Sequence, residues 1–230
     1  MANILALESS SSLCSVALQA NGRLQCLQDS GQRSHTRLML PFVEQLLADA
    51  DVSLAELDAI AFSAGPGPFT GIRLGASVAK SLGYASDKPV VAVSSLAAIA
   101  QAYRRQTGFT GQCLVVTDAR MDELYVAEFS FNAEGGMNIV QADQLLSLNA
   151  FAALSHGASV VLGDAEALIK ALPNMVGMLY QHLLASAEDV LQLAEALLAE
   201  GRATDALTAQ AVYLRGKSGW KNIEQQQAAG

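Results

Sequence analysis

Gly65-Pro66-Gly67-Pro68-Phe69-Thr70-Gly71-Ile72-Arg73 packs three glycines and two prolines into nine positions, between an apolar run and a helical pattern. The two X-Pro steps hold the chain extended and turned, and the glycines permit positive φ and close backbone approach. Such a loop fixes the entry to a helix, whose first N–H groups point outward and can hold an anion or a partner's loop. Thr70 is placed to cap that helix. No Gly-Lys-Ser/Thr follows, so the stretch is not a Walker phosphate loop. A stiff strand-to-helix connection without a ligand is the competing explanation, and these nine residues leave both open.

Downstream, Gly71 to Ala85 reads as a helix in which Gly71, Gly75, Ala79 and Gly83 recur every four residues. Each interior Gly costs ~1 kcal/mol relative to Ala. A second backbone is therefore expected against this stripe, either this protein's own sheet or a partner helix. Upstream, Asp58 to Ala64 reads as a strand that runs into the loop.

Asn3 to Leu7, Leu13 to Ala20 and Arg23 to Gln28 read as strands, the last two joined by the hairpin signal Asn21-Gly22. Leu38 to Ala50 has helical spacing at Leu38, Met39, Phe42, Val43, Leu46 and Leu47, with Pro41 kinking it or lying in its first turn. Ser53-x-x-Glu56 has the capping-box pattern. Pro89 to Val93 is a strand, and Ser94 or Ser95 caps a helix to about Gln106, with Arg104 and Arg105 suited to its C-terminal dipole. Cys113 to Thr117, Glu123 to Phe131 and Met137 to Gln141 follow as strands, with a Gly135-Gly136 turn. Leu148 to Leu154 reads as a helix, Ser159 to Leu162 as a strand, and Asp164 to Leu172 as a helix. Ser186-x-x-Asp189 opens a clear amphipathic helix, Ala187 to Glu200.

That order predicts an α/β fold with an antiparallel entry into a mixed sheet. It is not the βαβ start of a dinucleotide fold. No internal repeat of fixed period is visible. A boundary near Gly108 to Gly111 divides the chain into subdomains 1–108 and 109–215, with a polar tail at 216–230 that is expected to fray.

Hydrophobic residues make up 51% of the 230, enough for one large core or two small ones. The formal charge of −8 and pI of about 4.8 repel phosphates at long range, so binding to nucleic acid would need a local basic patch or a basic partner. Cys14, Cys26 and Cys113 form no CxxC pair and are odd in number, which suits reduced thiols in a cytosolic protein. The first residues lack a basic region and a long apolar stretch, so no signal peptide is expected. No run reaches the length of a membrane span. A cytoplasmic location is the expectation.

His35, His156 and His182 share no spacing with one another or with a nucleophile, and no second His completes an HxxxH after His35. Glu8 ends the first strand and precedes Ser9-Ser10-Ser11-Ser12. A carboxylate beside a hydroxyl-rich turn suits a Mg-phosphate cradle, or an ordinary polar loop. A nucleotide site would also need a second phosphate loop and a double-glycine adenosine loop. Val160 to Ala165 offers one Gly, and Gly135-Gly136 sits in an expected hairpin. Asp118-Ala119-Arg120 is either catalytic or an ion pair steadying a turn. Arg215, Lys217 and Lys221 either touch phosphate or belong to a solvated tail.

Taken in order, Ile4 to Ser10, Cys14 to Leu18, Ser34-His35-x-x-Leu38-x-Leu40-Pro41, Gly65 to Arg73, Val93 to Leu96, Asp118-Ala119-Arg120-Met121-x-Glu123-x-Tyr125 and Tyr213-Leu214-Arg215-x-Lys217-x-x-Trp220-Lys221 form a recognisable series. Over nearly its whole length the chain resembles the TsaB family, bacterial proteins required for the threonylcarbamoyladenosine modification of tRNA. The resemblance implies the actin-like ATPase (ASKHA) superfamily fold, with two ribonuclease-H-like subdomains built on mixed sheets. It implies a non-catalytic subunit with no cofactor. Its partner would be the paralogue TsaD, which transfers the threonylcarbamoyl group to the adenosine beside the anticodon, and the ATPase TsaE would join the pair.

In the family the interface is built from the two early helices, here about 36–50 and 71–85. The same surface can form a homodimer when TsaD is absent, and tRNA is met only through the complex. The implied interface candidates are His35, Leu38, Met39, Phe42, Gly71, Leu74, Gly75, Val78 and Leu82. The motif loops carry Glu8, Gly65, Gly67, Phe69, Thr70, Arg73, Asp118 and Arg120. The chain departs from the family where Glu8-Ser9-Ser10 replaces the common Asp-Thr-Ser, and where Pro68 replaces a common Ser. The alternative function is a stand-alone nucleotide- or metal-dependent enzyme, either a phosphotransferase or a glycoprotease-like hydrolase.

Overall fold

The computed structural model describes residues 2–31, 35–170 and 172–215. Ser34 of the second motif, the tail, and Lys217, Trp220 and Lys221 lie outside the described residues. The first half runs β1 (Ile4–Glu8), β2 (Cys14–Ala20), β3 (Arg23–Asp29), α1 (His35–Ala50), β4 (Ala59–Gly65), α2 (Phe69–Ser86), β5 (Val90–Ser94) and α3 (Ser95–Thr107). Its sheet has the order β3-β2-β1-β4-β5. The first three strands are antiparallel, whereas β4 and β5 add in parallel. Every residue of β1 and β4 is buried, as expected of near-continuous apolar strands covered on both faces. Asn21 and Gly22 take φ of 52° and 73°, the two left-handed positions that a type I′ hairpin turn requires.

The second half contains β6 (Gly111–Arg120), β7 (Glu123–Phe131), β8 (Met137–Ser147), α4 (Leu148–Ala152), β9 (Val160–Gly163), α5 (Glu166–Ile169), β10 (Leu179–His182) and α6 (Ala187–Ala199). Its sheet, read β8-β7-β6-β9-β10, repeats the first: an antiparallel meander and then two parallel strands. These are two ribonuclease-H-like halves on mixed sheets, the actin-like arrangement. The repeat is topological and leaves no period in the sequence.

Three apolar cores separate the layers. One lies between α1–α2 and the first sheet, and one between the second sheet and α4–α5. The largest is filled by α3 and α6, with side chains from both sheets. Although α6 follows the second sheet in sequence, it packs on the strands of the first. The chain after it stays there. Thr204 bridges Val90 at the sheet edge, Ala206 and Ala209 join the α1–α2 core, and Val212 N donates to Ala64 O at 2.8 Å.

Local signals are met at several helix ends. Glu56 accepts from Ser53 N and Oγ at 2.8 and 2.6 Å, and Asp189 accepts from Ser186 N and Oγ at 2.8 and 2.9 Å. Ser94, not Ser95, caps α3 by accepting from Ala97 N. Ser95 donates instead to Pro66 O, tying α3 to the opening loop. Arg104 binds the Gly108 and Phe109 carbonyls past the end of α3, whereas Arg105 crosses to Asp189 and Glu188 of α6.

Several expectations fail. The helix after the Gly-Pro loop begins at Phe69 with Pro68 as N-cap, so Thr70 lies within its first turn and caps nothing. Of the two alternatives for Pro41, a place in the first turn is ruled out, since it lies inside α1 beyond that turn. The pattern at Asp164 to Leu172 yields only the four-residue α5. β8 runs six residues past Gln141, and β10 was not anticipated. The residues of β10, Leu-Tyr-Gln-His, are half-buried or exposed and carry no alternation, so pairing with β9 places this strand.

Candidate functional site

The ends of the two sheets face each other across a cleft of about 1070 Å³. One side is formed by Ser10 to Ser12 after β1 and by the Pro66–Phe69 loop with Ile72 and Arg73. The other is formed by Thr117 to Met121 at the end of β6, with Asp164 after β9. Residues 212–215 line it as well.

Glu8 sits at the end of β1, fully buried behind this cleft. Its Oε1 accepts from Ser10 N and, at 2.6 Å, from Ser10 Oγ, while Oε2 has no partner. Burial pushes its carboxyl up to about 7, against the opposing effect of Ser10 and the nearby Ser63 hydroxyl and with a further push from Asp189. Burial thus favours the protonated form of Glu8 relative to a solvated carboxylate. It is not among the residues lining the cleft, which weighs against an exposed phosphate-metal carboxylate.

The glycines of the opening loop answer to this chain's own backbone. A Cβ at Gly67 would lie 2.8 Å from Ser10 O, and one at Gly71 only 2.0 Å from Ser9 O. Ser9 Oγ, which donates to Gly71 O, would meet a Cβ at Gly75 at 2.8 Å. At Gly83 the neighbours are Val90, Lys88 O and Ala206. The every-fourth-residue stripe is thus the inward face of α2. Gly65 takes φ of 105°.

At the cleft mouth, the Arg73 guanidinium lies 3.5 Å over the Phe69 ring, and its Nε donates to Tyr213 Oη at 3.0 Å. Across the cleft, Asp118 accepts from Arg120 N at 2.7 Å and from its guanidinium at 2.8 Å. Asp118 N donates to Asp164 Oδ1 at 3.0 Å. Asp118 and Arg120 thus form an ion pair at a turn on the rim of the cleft. That turn carries left-handed φ at Arg120, Met121 and Asp122.

Arg215 reaches the same turn. It donates to the Ala119 and Arg120 carbonyls at 3.0 and 3.3 Å, contacts Met121 Sδ at 2.9 Å, and pairs with Glu123. Sequence reasoning left Arg215 between a phosphate contact and a solvated tail, and gave Tyr213 no role. Both stand in the last motif segment, but nothing local reveals contacts 92 to 140 residues away in sequence.

The histidines stay apart. His35 starts α1, His182 ends β10, and His156 lies beside Phe151 where burial lowers its pKa. None lines the cleft. Among the described residues no three His, Cys, Asp or Glu side chains gather as metal ligands. The free thiols of Cys14 and Cys113 are pushed up to about 11 and 12 by burial, which makes them poor nucleophiles. The cleft offers hydroxyls, the first amides of α2 and guanidinium groups. These groups can hold a polar or anionic guest.

The candidates on α1 and α2 divide by burial. Met39, Gly75 and most of the stripe face inward. Leu38, Phe42, Leu74, Val78 and Leu82 are half-buried against the core, so part of each faces out. Leu40 on α1 is 47% exposed, and Phe69 is 40% exposed at the cleft mouth, where Arg73 covers its ring. No described helix is long and apolar enough to cross a membrane.

Residues 29–178 match the family model "TsaD: tRNA N6-adenosine threonylcarbamoyltransferase". The "tRNA threonylcarbamoyladenosine biosynthesis protein TsaB" of Escherichia coli is 32% identical, across 96% of this chain and 97% of that protein. Its namesake from Haemophilus influenzae is 30% identical, across 96% of each. A solved structure described as "YeaZ from Pseudomonas aeruginosa" superposes with a TM-score of 0.83 at 33% identity, covering 93% of this chain and all of that one. A second Pseudomonas aeruginosa structure, an uncharacterized protein with similarity to peptidase YeaZ, reaches a TM-score of 0.85 at 35% identity over 94% of this chain and all of that one. Two relatives at or above 30% identity, each matched over 96% of this chain, leave one assignment: the chain belongs to the TsaB family.

Proposed function

We propose that this chain is a non-catalytic subunit in the threonylcarbamoyladenosine modification of tRNA. It binds and activates TsaD through the outer faces of α1 and α2, and TsaE joins the pair in the cytoplasm. The observation that carries this reading is the set of half-buried apolar side chains Leu38, Phe42, Leu74, Val78 and Leu82 on α1 and α2. Apolar surface left at the junction of two helices favours a packed partner. When TsaD is absent, a second copy of the chain covers the same surface. The acidic surface makes tRNA contact a property of the complex.

The test is co-elution with purified TsaD. Val78→Glu places a charge on this surface without touching the inward stripe, and it abolishes co-elution while the fold persists. Reconstitution then asks about activity. TsaD, TsaE and the adenylate-forming enzyme are mixed with tRNA, threonine, bicarbonate and ATP, with and without this chain. Modification that proceeds equally without it refutes the role.

The cleft favours a second reading, a nucleotide-dependent enzyme, because serine hydroxyls and helix amides converge there. Calorimetric titration with ATP and Mg²⁺ decides between them. Tight binding by the isolated chain supports the enzyme.

A further inference from the structure

The segment that follows α6 runs along one side of α2 and then leaves it. Thr204 pairs with Val90 at the edge of the first sheet, and Ala206 packs beside Gly83 near the end of α2. Val212 N donates to Ala64 O, and Tyr213 Oη accepts from Arg73 near the start of α2. Two residues later the chain is bonded to the opposite side of the cleft. There the Arg215 guanidinium engages the Ala119 and Arg120 carbonyls, Met121 Sδ and the Glu123 carboxylate, all on the β6–β7 turn of the second sheet.

We propose that residues 212–215 are a latch that sets the opening of the cleft between the two halves of the molecule. The helices α3 and α6 join the halves at the base, where apolar packing resists separation but permits small rotation. At the mouth, the latch holds the first half through Val212 and Tyr213 and the second through Arg215. A single guanidinium with several acceptors gives a fixed geometry that a lysine ammonium, a point charge, does not reproduce. Because the anchor on the first half is Arg73, release of the latch also frees the entry of α2. The latch is a property of the chain alone and stands whether or not the α1–α2 surface binds TsaD.

The experiment measures the distance between spin labels on cysteines introduced at exposed Ser77 on α2 and Lys170 after α5, in the full chain with Cys26 replaced by Ala. Native Cys14 and Cys113 are fully buried and escape labelling. Arg215→Ala shifts the distance distribution to longer values and broadens it, and Arg215→Lys restores it only in part. Circular dichroism confirms that the variants fold. If Arg215→Ala fails to fold, Glu123→Gln, which removes only the carboxylate of the turn, gives an intermediate widening. An unchanged distribution in the folded variant overturns the latch and leaves Arg215 as a tether for the chain end.

Discussion

At the scale of single residues, Glu8 has the most testable chemistry. Its carboxyl is held near 7 when folded, against an ordinary value of 4.5. The folded state therefore binds the proton more tightly than the unfolded state. Stability from this group is complete below about pH 4.5, falls as pH rises, and is lost above about pH 7. The difference between those values corresponds to ~3 kcal/mol. Glu8→Gln cannot titrate. The stability of the variant relative to the parent should therefore rise by ~3 kcal/mol between pH 4 and pH 8. Urea unfolding across that range measures it, and parallel pH profiles for the two proteins would show that Glu8 titrates normally. The carboxylate at the end of the first strand is visible in the sequence. Its burial is not, because residues far along the chain cover it.

At the scale of elements, α2 has two faces with different duties. The inward face must stay small. Gly71→Ala would drive a methyl into Ser9 O, a backbone atom that cannot swing away, and should cost about 2 kcal/mol. Gly75→Leu would push a full side chain into a buried position against the Ser9 hydroxyl, so it would disturb the fold rather than report on a partner. The outward face tolerates more: Val78 is half-buried against the core, so Val78→Glu should lower the thermal unfolding temperature modestly, leaving the chain folded, while abolishing TsaD co-elution. A Val78→Glu protein that still co-elutes would move the proposed interface off this helix. The four-residue period of the stripe was legible in the sequence. Which backbone it met was not, since a strand loop of the same chain and a partner helix demand the same small residues.

For the molecule as a whole, the joint between the halves depends on α3 and α6. Arg105 on α3 pairs with Asp189, which is fully buried at the start of α6, and with Glu188. Arg105→Ala leaves Asp189 with only its Ser186 bonds and should destabilise the chain by about 3 kcal/mol. Arg105→Lys should recover part of that. Denaturant unfolding of both variants measures the effect, and a cost near zero would show that apolar packing alone carries the joint. The two capping boxes, the Asn-Gly hairpin and the strand–helix order were readable because each is written in neighbouring residues. The short edge strand β10, the shortened α5 and the Arg215 contact were not, because their partners lie far away in sequence.

The sequence by itself determined an α/β chain with an antiparallel entry, and through its motifs the family. Periodicity, turn residues and caps are local and survive without tertiary context. Only the tertiary structure decided that the two halves repeat one sheet topology and that α6 returns to the first sheet. It alone turned the glycine stripe inward and carried the chain across the cleft. Each of these depends on which surfaces meet, and distant segments acquire that relation only when apolar burial brings them together.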